Sequence, residues 1–377
     1  MALSGSSEHI TLKTLVKEGW HRQPIPVVEI PGSHEPEKYV LLHGHYDSWD
    51  VGVGDNATGA AALLEIARIL HERRGSMRRS VRIAWWPGHS TGKFAGSTWY
   101  ADHFALDLDE NCIAHINCDS PGCRDATEYC ELAWTAEAEG YARAAIKRAT
   151  GLDCEGGSPH RGADYSFDGI GITGLLQQSS IIPEATRQER GLYAVGGCGG
   201  NIEWHTEADL LDVADKNNLA RDIRMYLAVV FGIADAEILP FDWRVSVRSL
   251  QKTVEGYQAK LGSWCDLTPV SSALTILLEK IEHFYEQCRR GKVSPDRANR
   301  VIIQLARLLV PLHHRRDEGF RHDPALATPA LPSLAVAFQD LTLLRDENML
   351  FVRTEIIRRQ NRLCHVLKTA TGLLGGG

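Results

Sequence analysis

Tyr39-Val40-Leu41-Leu42-His43-Gly44-His45-Tyr46-Asp47-Ser48-Trp49, followed by Gly54-Asp55-Asn56-Ala57-Thr58-Gly59, is the stretch on which the reading of this chain turns. An apolar run of strand character ends in a His and an Asp two residues apart. A second Asp arrives just ahead of an apolar helix predicted from Ala60 to Leu70. Imidazole and carboxylate are the usual zinc ligands of catalytic sites, and open α/β sheets bind ligands outside the carboxyl ends of their strands. Without a metal the same His-x-Asp is an ordinary surface pair, so the reading depends on further ligands elsewhere.

Two more stand at suitable places. Ile113-Ala114-His115-Ile116-Asn117-Cys118-Asp119 is another short apolar strand ending in an Asp, and Glu203-Trp204-His205-Thr206 places a His where a glycine-rich loop is expected to stop and a helix to begin. His45, Asp55, Asp119 and His205 thus form a two-His, two-Asp set, each at the end of a predicted element, with Asp55 a candidate to bridge two ions.

The motifs HYDSW (45–49), GDNATGAAALLEIARIL (54–70), VRIAWW (81–86), GSTWYAD (96–102), INCDS (116–120) and WHTEADLLD (204–212) resemble the co-catalytic zinc aminopeptidase and glutamate carboxypeptidase family. The resemblance runs from about residue 25 to about residue 240. It implies an α/β fold, a mixed β-sheet flanked by helices. Carried over position by position, it implies that His45 and Asp119 hold one zinc, that His205 helps hold the other, that Asp55 bridges them, and that Asp47 orients His45 from behind.

At one position the chain departs from that pattern. The family places a Glu-Glu pair after the strand that here reads Val81 to Trp86, the first as general base and the second as a zinc ligand. This chain has Pro87-Gly88-His89-Ser90-Thr91-Gly92-Lys93-Phe94-Ala95-Gly96-Ser97, and no carboxylate lies between Ser80 and Tyr100. Three readings follow. His89 replaces the ligand Glu, since neutral imidazole is a common metal ligand. Alternatively His89 replaces the general base and takes a proton from metal-bound water. In the third, the site has decayed, as in receptor-like relatives. The four retained ligand positions argue against decay, and against them stands the plain alternative that His89 is a hydrogen-bonded loop histidine.

Composition describes an ordinary globular chain of 377 residues, 44% hydrophobic and 24% charged, long enough for two domains. A net charge of −7 argues against nucleic acid or an anionic membrane as a main partner. The one basic cluster, Arg73-Arg74-Gly75-Ser76-Met77-Arg78-Arg79, reads as a solvated helix end and loop. No apolar run is long enough for a transmembrane helix. Met1 to Glu8 lacks the apolar core of a signal peptide, reads as linker or disordered chain, and leaves a cytoplasmic location as the expectation. Nine cysteines cannot all pair internally. Cys112, Cys118, Cys123 and Cys130 do not follow the paired Cys-x-x-Cys spacing and read as reduced structural thiols. Cys198, in the loop Val195 to Asn201, is a candidate to line the mouth of the site; equally, its glycines serve only to turn the chain.

Ala163 to Leu176 resembles the family segment that shapes the substrate pocket, with Asp164 and Tyr165 the positions to watch; Asp164 as a plain N-cap is the alternative. From about Leu239-Pro240-Phe241-Asp242 onward the apolar residues recur at helical spacing, as in Leu274, Leu277, Leu278, Ile281 and Tyr285, and in Val301, Ile302, Leu305, Leu308 and Leu309. The expected organisation is therefore a linker over 1–8, a metallopeptidase-like domain over 9–240 and an α-helical domain over 241–377, with a tail at Gly375-Gly376-Gly377. The last domain resembles the helical dimerisation domain of the glutamate carboxypeptidase and transferrin receptor branch, which implies a homodimer. That branch also carries an insert ahead of the His-x-Asp strand, and the few residues there suggest a missing part of the pocket or a truncated chain. The expected function is hydrolysis of an amide bond in a small peptide or amino-acid conjugate by metal-bound hydroxide, with one or two zinc ions per chain. The rival is a non-catalytic receptor-like or scaffold dimer.

Overall fold

The computed structural model describes residues 11–17, 19, 21–159, 166–316, 319–322, 329–339 and 349–375. The linker expected over 1–8, Asp164 and Tyr165 lie outside the described residues. Among the described residues, five strands make the central sheet: β1 (Val27–Ile30), β2 (Glu35–His45), β3 (Arg79–Trp86), β4 (Cys112–Asn117) and a late strand at Thr173–Leu175. Between the last two in sequence come β5 (Tyr129–Ala133) and β6 (Cys154–Gly157), which pair with each other, so the late strand is β7. The spatial order is β1-β3-β2-β4-β7. Only β1 runs antiparallel to its neighbour; β3, β2, β4 and β7 are parallel.

The continuous apolar spelling of the inner strands follows from burial on both faces. Along β2 the side chains alternate: Val40 and Leu42 join a core with Leu63, Ile66 and Leu70 of helix α1 (Thr58–Glu72), whereas Tyr39 and Leu41 join one with Trp86, Tyr100 and Phe167. The smaller helices α2 (Ala95–His103) and α3 (Ala105–Asn111) follow β3, and α4 (Glu139–Thr150), α5 (Glu184–Glu189) and α6 (Lys216–Ala234) complete the wrapping of the sheet. This is the mixed sheet flanked by helices that the motifs imply. The helix expected directly after His205 is not there. Residues 206–215 remain turn and short 3-10 structure, and α6 starts only where the Asp215 carboxylate caps it by accepting from the Asn218 amide at 2.8 Å.

The basic cluster is also not wholly solvated. Arg79 is buried, its guanidinium pairing with Glu35 at 2.7 Å and donating to the Ala236 carbonyl at 2.6 Å. All nine cysteines are free thiols, as expected.

From Trp243 onward the described chain is helical: α7 (Trp243–Leu261), α8 (Thr268–Arg289), α9 (Pro295–His314), α10 (Pro332–Gln339) and α11 (Met349–Gly375). Gly375 ends α11 and so is not part of a loose tail. The helical periodicity marks its buried face: Leu274, Leu277 and Ile281 on α8, and Val301, Ile302, Leu305 and Leu309 on α9. These residues belong to the same apolar cluster as Val40, Leu63 and Ile83 of the sheet region. Arg307 of α9 binds the two parts together. Its guanidinium donates to the carbonyls of Leu108, Asp109, Cys112 and Gly171 at 3.1, 2.8, 2.6 and 2.9 Å.

Candidate metal centre

Parallel pairing of β2 with β4 brings their carboxyl ends to one edge of the sheet. His45 is the last residue of β2, and Asp119 follows shortly after β4. Residue 44 has to be glycine, since a Cβ there would stand 2.5 Å from the Cys118 carbonyl oxygen. Asn56 ties the neighbouring turn to the same edge, its side chain donating to the Cys118 carbonyl at 3.0 Å and accepting from the Ser120 amide at 3.0 Å. Asp55 is thereby held over the strand ends, and the Asp55–Asn56 peptide is cis.

The two oxygens of Asp55 face two imidazoles. Oδ1 is 2.8 Å from His45 Nε2, and Oδ2 is 3.0 Å from His205 Nε2. Asp119 Oδ2 approaches the same His45 nitrogen at 3.5 Å. The structure therefore brings together all four residues that the motifs singled out. His205 reaches the site from a turn at φ 60°, a left-handed conformation uncommon for a side-chain-bearing residue. Its ring lies between two indoles, stacked on Trp204 at 3.8 Å and edge-on to Trp49 at 5.9 Å.

His89 also turns inward. Its ring stacks on His45 with centroids 3.9 Å apart, and donor atoms of His45, His89 and Asp119 all lie within 4.8 Å of one another. Neither Asp55 nor His205 is part of that trio, so the His89 imidazole joins His45 and Asp119. Among the described residues, His45 Nε2, Asp55 Oδ1 and His89 Nδ1 are buried without a well-directed hydrogen bond, the first two facing each other as an ion pair at 2.8 Å. Buried polar atoms normally find partners. Imidazole nitrogens of His45 and His89 with a carboxylate oxygen of Asp119, all within 4.8 Å of one another, match the donor set of a zinc-type ion.

The same carboxylates that suit a cation set the charges of the imidazoles. Burial opposes charge on His45, but the Asp119 and Asp55 carboxylates outweigh it and hold the imidazole well above its ordinary pKa. Burial likewise opposes charge on Asp55, and its contacts with His205 and His45 overcome this and keep it ionised far below the usual carboxylate range. His89 goes the other way: burial, reinforced by the neighbouring His45, pushes it down to about 4.

Two expected roles change. Asp47 meets His45 through its backbone: His45 Nδ1 lies 2.9 Å from the Asp47 carbonyl oxygen but 3.8 Å from the carboxylate. The Asp47 carboxylate instead accepts from the amides of His89 at 2.9 Å and Ser90 at 3.0 Å, and so shapes the loop that carries His89. Cys198 does not line a mouth. Its side chain is fully buried with Cys123, Ala126 and Val213, and its thiol donates to Asp209 Oδ2 at 3.3 Å, because the glycine loop folds inward beneath the turn of Asp55.

Two further residues of the 204–212 motif, to which sequence alone assigns no role, contribute to the centre. Asp209 accepts from the amides of Gly54 and Asp55 at 2.7 and 3.0 Å, fixing the turn that presents Asp55. Trp204 donates its indole N–H to Asp55 Oδ2 at 2.8 Å. Their one signal in the sequence is adjacency to His205 within the motif; the contact itself depends on loop path.

A sheet whose carboxyl edge gathers two histidines, two aspartates and a loop histidine is a candidate metal centre. The chain belongs to peptidase family M28, whose model matches residues 27–230. Aminopeptidase NAALADL1 of Mus musculus is 38% identical over 102 residues, 26% of this chain and 14% of that protein. Probable glutamate carboxypeptidase VP8 of Zea mays is 37% identical over 93 residues, 24% of this chain and 13% of that protein. The matched stretches thus span only a small fraction of these relatives. Among solved structures, a zinc aminopeptidase from Bacillus subtilis is similar at 20% identity and a TM-score of 0.44, covering 56% of this chain and 50% of that one. Among the described residues no helix is long and apolar enough to cross a membrane.

Proposed function

We propose that this chain is a metal-dependent hydrolase of an amide bond in a small peptide or amino-acid conjugate. The observation that carries this is the Asp55 carboxylate, with one oxygen 2.8 Å from His45 Nε2 and the other 3.0 Å from His205 Nε2. One carboxylate placed between two imidazoles suits a centre for two ions, with Asp119 completing the His45 side. Family membership and the imidazole–carboxylate donor set suggest zinc as the ion. When bound, zinc supplies Lewis acidity and lowers the pKa of a coordinated water to about 7.

The chain's own groups do the rest. Asp55, ionised by its imidazole neighbours, supplies negative charge to both sides. Asp47 fixes the 89–91 loop through its amides, and His89 presents a neutral ring. Its donor atom lies within 4.8 Å of those of His45 and Asp119. This favours His89 as a ligand on the His45 side over His89 as the base. The proposed partners are a small peptide substrate and a second copy of the chain through the helical region, where Leu350, Phe351 and Ile357 of α11 are exposed.

The absence of any carboxylate from the loop after β3 favours a second reading, a receptor-like or scaffold dimer that retains the fold without hydrolysis. Elemental analysis of the purified protein, together with a panel of aminoacyl and dipeptide substrates, separates the two. About two zinc ions per chain with amide hydrolysis abolished by chelation is expected. No bound metal and no hydrolysis would establish the scaffold.

A further inference from the structure

Asp55 Oδ2 accepts from more than His205. The indole N–H of Trp204 points at the same oxygen from 2.8 Å, and the Trp204 ring lies flat on His205, 3.8 Å between centroids and 21° between planes. One side chain therefore touches both residues of the His205 half of the centre, by a hydrogen bond to one and by stacking on the other. Asp55 is 6% exposed, so little water competes for that oxygen.

We propose that Trp204 is a positioning residue for an ion that Asp55 and His205 would hold. This rests on the metal-centre reading above. A carboxylate oxygen has lone pairs enough for one ion and one hydrogen bond. With the indole taking one direction, Oδ2 is aimed so that its other lone pair meets His205. The stack on the indole fixes the plane of the His205 ring, which hangs from a single backbone attachment at φ 60° and has the edge of Trp49 as its other aromatic neighbour. Outer partners of this kind orient ligands and typically govern metal affinity by about 10–100-fold.

The chain has also made room for the indole. A Cβ on Gly197 would stand 2.3 Å from Trp204 Nε1. The backbone of Gly197 is extended, at φ −160° and ψ −163°, a conformation open to any residue, so glycine is required here by the approach of the indole rather than by the turn. The glycine-rich loop over 195–200 thus leaves a slot in which the N–H of Trp204 reaches Asp55.

Two substitutions approach the same hydrogen bond from opposite sides. Trp204→Phe keeps an aromatic ring against His205 and removes the donor. Gly197→Ala keeps the donor and displaces it. Titration of the metal-free proteins with zinc against a chromophoric chelator, and the visible spectrum of the cobalt(II)-loaded proteins, read the two halves of the centre separately. In both variants the ion on the His205 side should weaken by about 10–100-fold, with a change in the cobalt spectrum, while the ion on the His45–Asp119 side keeps its affinity. Two ions of unchanged affinity and an unchanged cobalt spectrum in Trp204→Phe would overturn the assignment; should that variant fail to fold, the same result in Gly197→Ala overturns it. A wild-type chain that binds no zinc overturns instead the metal-centre reading itself.

Discussion

Asp55 and Asp47 belong to one short segment but hold different things in place. Asp55 presents an oxygen to each of two imidazoles, whereas the Asp47 carboxylate grips backbone amides of the His89 loop. Asp55→Ala should therefore strip metal from both sides, and Asp47→Ala should keep most of its metal while losing activity by about 10–100-fold as the loop loosens. Equal metal content in the two variants would end this division of labour. Glu137 provides a pH-dependent test away from the centre. It is fully buried and accepts from the hydroxyls of Thr135 and Thr173, both at 2.7 Å, and burial raises its pKa from 4.5 to about 7. The unfolded chain then releases this proton near 4.5 while the folded chain retains it to about 7, so the group's contribution is full below 4.5 and is lost as pH rises across that window. Glu137→Gln, which cannot ionise and can still accept both hydroxyls, should gain stability relative to wild type over the same window, by at most roughly 3 kcal/mol near neutrality. Urea midpoints measured at pH 4.5 and pH 7.5 check this; a difference independent of pH would refute it.

The elements tell how far the sequence could be read. Strands β2 and β4 announce themselves by unbroken apolar runs, and each delivers a candidate ligand at its end, so His45 and Asp119 were legible with the edge they share. Asp55 was legible from its place just before α1. Loops were less so. His205 reaches the centre from a turn and not from a helix start, and Cys198, Asp209 and Trp204 act through contacts that no periodicity encodes. The inward turn of His89 was an expectation from family position, and its placement on the His45 side came only with the fold. Helix α9 allows a test at this scale. Its periodicity predicted a buried apolar stripe but not that Arg307 would clasp four carbonyls of the sheet region. Arg307→Met keeps the apolar stem and leaves those acceptors without their donor, which should cost about 2–4 kcal/mol, read as a lowered urea midpoint; an unchanged midpoint would show the clasp to be energetically idle.

At the scale of the whole molecule, the sheet and the helices after Trp243 draw on one apolar cluster. A chain cut near Leu239 should lose solubility, because it uncovers the side of that cluster that α7, α8 and α9 now cover. Light scattering of the intact chain at micromolar concentration tests the proposed pairing of two copies: a dimer is expected, since closed two-fold assemblies are the commonest kind, and a monomer would remove it. The shared cluster also means that the sheet edge and the distant helices open together. An ion bound at His45 and Asp119 favours only the folded chain, so its binding free energy is added to the protection of every amide that exchanges through global opening. Backbone amides on the inner face of α8, around Leu277 and Ile281 and far in sequence from any ligand, should thus exchange more slowly in zinc than in chelator, and their exchange rates would report the occupancy of a site they never touch.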